Sequence, residues 1–163
     1  MFHLSHHVKW THDHPAAHVW QSLKDLNAWM QDLEYSMLVG DAPETSTVTL
    51  TMRPESREYY KEHYGLTEEF KKELVVRRIE PEKVLALEEP SADHRQLFAY
   101  YILSLHEQDG RTTVLSEMTY GPQWFPKDAA EQTQAAFENA MHEVSARWKE
   151  RYIPRLRQLV EGA

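Results

Sequence analysis

The chain has 163 residues, enough for one domain that buries roughly two-thirds of its unfolded surface. Its 18 basic and 26 acidic side chains give a net charge of -8, which argues against nucleic acid and anionic membrane as partners, since both require a basic footprint. The absence of cysteine excludes disulfide scaffolds and thiolate chemistry; no apolar run approaches a membrane span or a secretory leader, so the expected location is the cytoplasm.

Taken in order, Phe2 to Trp10 alternates, with Phe2, Leu4, His6, Val8 and Trp10 on one side, the period of a strand. Thr11 to His14 turns the chain and Pro15 suits a first helical position. Val19, Trp20, Leu23, Leu26, Trp29, Met30 and Leu33 then recur at helical spacing, with Asn27 expected to mark a break between two short helices. Tyr35 to Val39 and Thr47 to Arg53 read as short strands, the second directing Val48, Leu50 and Met52 toward a core. The irregular stretch from Arg53 to Glu69 carries Tyr59, Tyr60 and Tyr64, more aromatic surface than a solvated loop needs, and a short helical lid is expected there.

Phe70 to Glu80 and Lys83 to Glu88 predict a hairpin closed at Pro81-Glu82. A two-residue loop there puts Leu74, Val76, Arg78, Leu85 and Leu87 on one face, so Arg78 points inward. Leu97 to His106 and Arg111 to Tyr120 flank Asp109-Gly110, the strongest hairpin signal in the chain. That turn sets Tyr101, Leu103, Leu105, Val114, Ser116, Met118 and Tyr120 on one face. Tyr100, Ile102, Leu115 and Glu117 fall on the other, a mixed surface suited to meeting a partner. Lys127 to Val160 predicts the one long helix, with Phe137, Met141, Val144, Trp148, Tyr152, Leu156 and Leu159 along a stripe and a kink or break at Pro154. A strand, two short helices, about six antiparallel strands and a long helix make an α+β layout. A curved antiparallel sheet of six to seven strands must then be covered by that helix.

The strand ending Val8-Lys9-Trp10, the segment Pro15-Ala16-Ala17-His18-Val19-Trp20 followed by Leu23, Asp25 and Trp29, the meander and the terminal helix carry a resemblance over nearly the whole chain. The chain resembles the START-related, birch-pollen-allergen-like superfamily, SRPBCC, with its helix-grip fold. The resemblance implies a cavity between sheet and helix. The side chains offered to line it are Arg78, Tyr101, Ser116, Met118 and Tyr120 from the sheet and Phe137, Met141, Val144 and Trp148 from the helix. It also implies that the segments bearing Tyr59, Tyr60, Tyr64 and His94 guard the entrance. The superfamily holds lipid carriers, hormone receptors, polyketide cyclases and chaperone activators, so it specifies fold better than function.

The leading expectation is a binder of a small, mostly apolar or amphipathic molecule, with Arg78 requiring an anionic group on it and Tyr101 or Tyr120 as a second donor. The alternatives are a cyclase- or dehydratase-like enzyme using the same cavity, and an interaction module or homodimer using the outer sheet face. No catalytic residue is assigned, and the hairpin register turns Glu117 outward. His12, Asp13, His14 and His18 offer two or three ligands near one helix start. Without an HExxH-type pattern they read as a polar loop with capping duties, and neither metal nor cofactor is expected.

Overall fold

A computed structural model describes residues 4–64, 71–90, 99–120 and 142–163, including their side chains except those of Leu4, Tyr60, His63, Tyr64 and Tyr120. Phe137, Met141 and His94 lie outside the described residues. The strands are β1 (Leu4–His12), β2 (Leu33–Tyr35), β3 (Thr47–Met52), β4 (Lys71–Glu80), β5 (Val84–Glu88), β6 (Tyr100–Gln108) and β7 (Arg111–Tyr120). They form one antiparallel sheet in the order β1-β7-β6-β5-β4-β3-β2, curled into a half-barrel. The helices are α1 (Ala16–Leu23), α2 (Leu26–Trp29), α3 (Pro54–Tyr64) and a C-terminal helix over 142–162. Within the segment expected to form a lid, Pro54–Tyr64 is the helix α3. Among the described residues, no helix is long and apolar enough to cross a membrane.

Asp109 and Gly110 hold φ at 54° and 73°, the left-handed pair that matches a two-residue turn to the twist of its strands. Gln108 therefore faces Arg111, and the register propagates: Tyr101 lies opposite Met118, Leu103 opposite Ser116 and Leu105 opposite Val114. All six are buried. Glu117 points the other way, its carboxylate 3.7 Å from His7 Nδ1.

The β4–β5 hairpin departs from its expected register, and Arg78 changes face. Glu80 pairs with Val84, so the loop is Pro81 to Lys83, with Glu82 at a φ of 67° and the Lys83 amide donating to the Glu80 carbonyl at 3.0 Å. The extra loop residue puts Ile79 opposite Leu85 and Arg78 opposite Ala86. A bulge between Val76 and Arg78 then absorbs one residue, which restores Val76 opposite Leu87 on the buried side. Leu74, Val76, Leu85 and Leu87 stay inside as expected, and Ile79 takes the position assigned to Arg78. The guanidinium lies on the outer face, 61% exposed and paired with Glu80 at 2.5 Å. The physical reason is the cost of burying an unpaired cation, which a loop one residue longer avoids.

Helix α1 buries Ala16, Val19, Trp20 and Leu23, one stripe at helical spacing. The break before α2 falls at Lys24 and Asp25 rather than at Asn27. Asn27 sits within α2 and clamps the neighbouring strand: its Nδ2 donates to the Tyr35 carbonyl at 2.9 Å and its Oδ1 accepts from the Tyr35 amide at 2.7 Å. The chain then passes so close to α1 that a Cβ on Gly40 would stand 2.2 Å from Lys24 Cβ. Only glycine fits there.

The C-terminal helix contains a π-turn, Trp148–Tyr152, immediately ahead of the α-helical Ile153–Gly162. Pro154 lacks the N–H that would bond the Glu150 carbonyl, and its ring would crowd that carbonyl, so the wider turn accommodates it. The buried residues Trp148, Tyr152, Leu156 and Val160 recur every four positions. In an unbroken α-helix each such step overshoots a full turn by about 40°. The π-turn takes up part of that drift and keeps the stripe on the sheet. Val160 is buried and Leu159 only packs at the margin, one position later than expected.

Candidate functional site

The concave face of β1, β6 and β7 is closed on one side by Trp148. Its ring lies 5.9 Å from Trp10, 5.6 Å from Trp29, 5.5 Å from Tyr152 and 6.4 Å from His6, centroid to centroid. Such tilted and edge-on contacts fix a large side chain at low entropic cost. In β1, His6 lies opposite Met118 and Val8 opposite Ser116, so His6 and Ser116 are diagonal neighbours on the same buried face. The expected wall residues Tyr101, Ser116, Met118 and Trp148 are all buried facing this interior, and Val144 packs against it half-buried. Tyr120 ends β7 opposite Leu4.

The polar groups in this apolar wall are few. Ser116 is 0% exposed, and its Oγ has no hydrogen-bond partner among the described residues. His6 is 3% exposed; its Nε2 lies 3.1 Å from Ser145 Oγ, while its Nδ1 also has no partner among the described residues. Burial lowers the pKa of His6, and His7 and Lys149 lower it further, which favours the neutral imidazole. Tyr101 donates its hydroxyl to Tyr35 Oη at 2.5 Å, and Tyr35 Oη lies 3.6 Å from Met30 Sδ. His6 and Tyr35 were not among the expected wall residues. The alternation of Phe2 to Trp10 already set His6 among apolar neighbours, and that was the signal for it. Tyr35 lies on a strand of three residues, too short for alternation to assign a face.

A second polar cluster lies where α2, β2, α3 and the C-terminal helix meet. Asp32, 1% exposed, receives Arg151 at 2.7 Å, Arg147 at 3.5 Å, the Ser56 hydroxyl at 3.2 Å and the Tyr152 hydroxyl at 3.2 Å. A cleft of about 360 Å³ opens beside it, bordered by Gln31, Asp32, Arg53, Ser56, Tyr59 and Arg151 among others. Of the expected entrance residues, Tyr59 borders this cleft and is 45% exposed. Tyr60 and Tyr64 belong to α3.

The N-terminal histidines have local structural partners. His14 Nε2 meets the Glu161 carboxylate at 2.9 Å, and His18 Nε2 lies 2.7 Å from the Val160 carbonyl near the helix end. His12 Nε2 accepts from the Trp10 indole at 2.9 Å. No group of three or more histidine or acidic side chains among the described residues is placed to hold a metal. On the outer face, Tyr100 is 39% exposed, and Ile102 and Leu115 are half-buried.

No family model and no curated protein sequence matches the chain. Solved structures do. The chain is similar to the protein of unknown function SA2116 from Staphylococcus aureus, with 8% identity over 99% of this chain and 95% of that one and a TM-score of 0.64. It is similar to the Polyketide_cyc-like protein Cgl2372 from Corynebacterium glutamicum, with 12% identity over 98% of this chain and 90% of that one and a TM-score of 0.56. Ara h 8.0201 is likewise similar, with 9% identity over 99% of this chain and 100% of that one and a TM-score of 0.56. The sheet order, the two short helices after β1 and the terminal helix held by the sheet give this chain a helix-grip α+β fold.

Proposed function

We propose that the protein binds a small, mostly apolar molecule between the concave face of the sheet and the C-terminal helix. The observation that carries this reading is the wholly buried Ser116, whose hydroxyl lacks a partner among the described residues. An orphaned buried hydroxyl costs about 1–3 kcal/mol, which a polar group on a bound molecule recovers. Val8, Leu103, Met118 and Trp148 supply the apolar wall around it. Sparse polar groups in an apolar surround are the usual make-up of a small-molecule site. Titration with N-phenyl-1-naphthylamine, a neutral dye that brightens in apolar surroundings, is expected to saturate and to be reversed by decanol. A rise that grows in proportion to dye, without saturation or competition, would contradict the reading.

Catalysis of the cyclase or dehydratase kind on the same face is the second reading, favoured by the contact between the Tyr101 and Tyr35 hydroxyls inside the protein. Two converging phenols can pass a proton to a bound carbonyl. On this reading Tyr101→Phe abolishes turnover of a poly-β-ketone while leaving dye binding intact; equal turnover by both proteins removes it.

A further inference from the structure

Resting on that reading, we propose that the polar group of the ligand is uncharged, a hydroxyl or carbonyl held jointly by Ser116 Oγ and His6 Nδ1. Neutral amphipathic molecules such as long-chain alcohols and ketones are then taken in preference to fatty acids and alkylamines.

The two atoms are a matched pair. His6 and Ser116 lie diagonally across β1 and β7 on one buried face, and neither atom has a partner among the described residues. Diagonal neighbours in an antiparallel pair stand somewhat under about 7–8 Å apart at Cβ, so one ligand oxygen can reach both side chains. A serine hydroxyl rotates to donate or accept, and a neutral imidazole offers one donor and one acceptor nitrogen. The pair therefore satisfies a hydroxyl, which does both, or a carbonyl, which accepts.

Charge excludes the other head groups. Among the described residues, the polar side chains beside this pair are His6, Ser116, Tyr101, Tyr35 and Ser145, none of which supplies a fixed charge; Lys149, whose charge acts on His6, is exposed on the C-terminal helix, and Lys72 lies on the inward side of β4. Arg78 is on the outer face with Glu80, Lys72 is 3.7 Å from Glu89, and Arg147 and Arg151 are both engaged by Asp32 in the separate cluster beside α3. A carboxylate or ammonium brought beside Ser116 would lose its hydration without gaining a counter-ion, a far larger penalty than a hydroxyl meets.

The test is displacement of N-phenyl-1-naphthylamine by decanol, 2-decanone, decanoate, decylamine and decane, on the wild type and on Ser116→Ala and His6→Leu. Decanol and 2-decanone are expected to compete at least about tenfold better than decanoate or decylamine, and Ser116→Ala to remove most of their advantage over decane, a change of roughly tenfold, the scale of one hydrogen bond. Ser116→Ala should also raise the thermal midpoint of the ligand-free protein, because it deletes an unsatisfied buried hydroxyl. Saturable dye binding with no preference among head groups, or with a preference for decanoate, overturns this inference and leaves the cavity reading standing. Decanol affinity unchanged by both substitutions does the same. No saturable dye binding overturns both.

Discussion

At the scale of single residues, His12 is held neutral by its surroundings. It is 2% exposed, accepts the indole N–H of Trp10, and has its pKa lowered to about 4 by burial first and then by Arg157 and His14, against the opposing pull of Glu161 and Asp13. A folded pKa below the unfolded value of about 6.5 means that the unfolded chain binds the proton more readily. The stability from His12 is therefore complete above about pH 6.5 and is lost as the pH falls toward about 4, amounting to as much as about 3 kcal/mol across that window. Urea midpoints measured from pH 7 to pH 4 should fall for the wild type. His12→Gln, which can still accept from Trp10 but cannot protonate, should fall less; an equal slope in the two proteins would contradict this. The sequence made His12 look like a possible metal ligand because spacing alone cannot show which side chain already has a partner. Ser116 was legible as an inward residue for the opposite reason, since the Asp109-Gly110 turn leaves its strand no second register.

At the scale of elements, Asp32 is the point through which the C-terminal helix is tied to the rest. Its carboxylate gathers Arg147, Arg151 and Tyr152 from that helix and Ser56 from α3, and its carbonyl accepts from the Arg53 amide at 3.0 Å. Removing one partner from such a buried ion pair leaves the others unsatisfied, at a cost of about 3 kcal/mol or more. Asp32→Ala is expected to lower the unfolding free energy by that amount and to increase amide exchange in residues 142–162. Arg78→Ala should leave both unchanged. Loss of stability without faster exchange in the helix would show that Asp32 acts elsewhere. None of this cluster was readable beforehand, because its members lie about 20 to over 100 positions apart and no periodicity links them. Pro154 did announce an irregularity, and steric crowding by its ring fixed the place; whether the helix breaks, kinks or widens depends on the Trp148 and Tyr152 rings it must keep buried. The β4–β5 hairpin shows the limit of parity arguments. A longer loop and a bulge cancel over Leu74 and Val76 but not at Arg78, so one wrong loop length relocated one charged side chain.

At the scale of the whole molecule, element order was enough to read the fold: a strand, two short helices, a meander and a helix long enough to cover it. The hairpin at Asp109-Gly110 then chose which face of β6 and β7 is concave, which brought Tyr101, Ser116, Met118 and Trp148 together. The meeting of β1 with β7 is a contact between the two ends of the sheet's sequence, and local patterns do not encode it. That closure sets His6 beside Ser116 and turns an awkward histidine into half of a polar pair.

The central claim is that a neutral amphipathic molecule lies against this pair, and intermolecular nuclear Overhauser effects between methionine methyl groups and decanol test it most directly. With the methionine methyls carbon-13 labelled and Met118 assigned through Met118→Leu, bound decanol should give cross-peaks to the buried Met118 methyl and none to Met37, which is 37% exposed. Cross-peaks at Met37 without any at Met118 would place the molecule outside the sheet's grip and contradict the account.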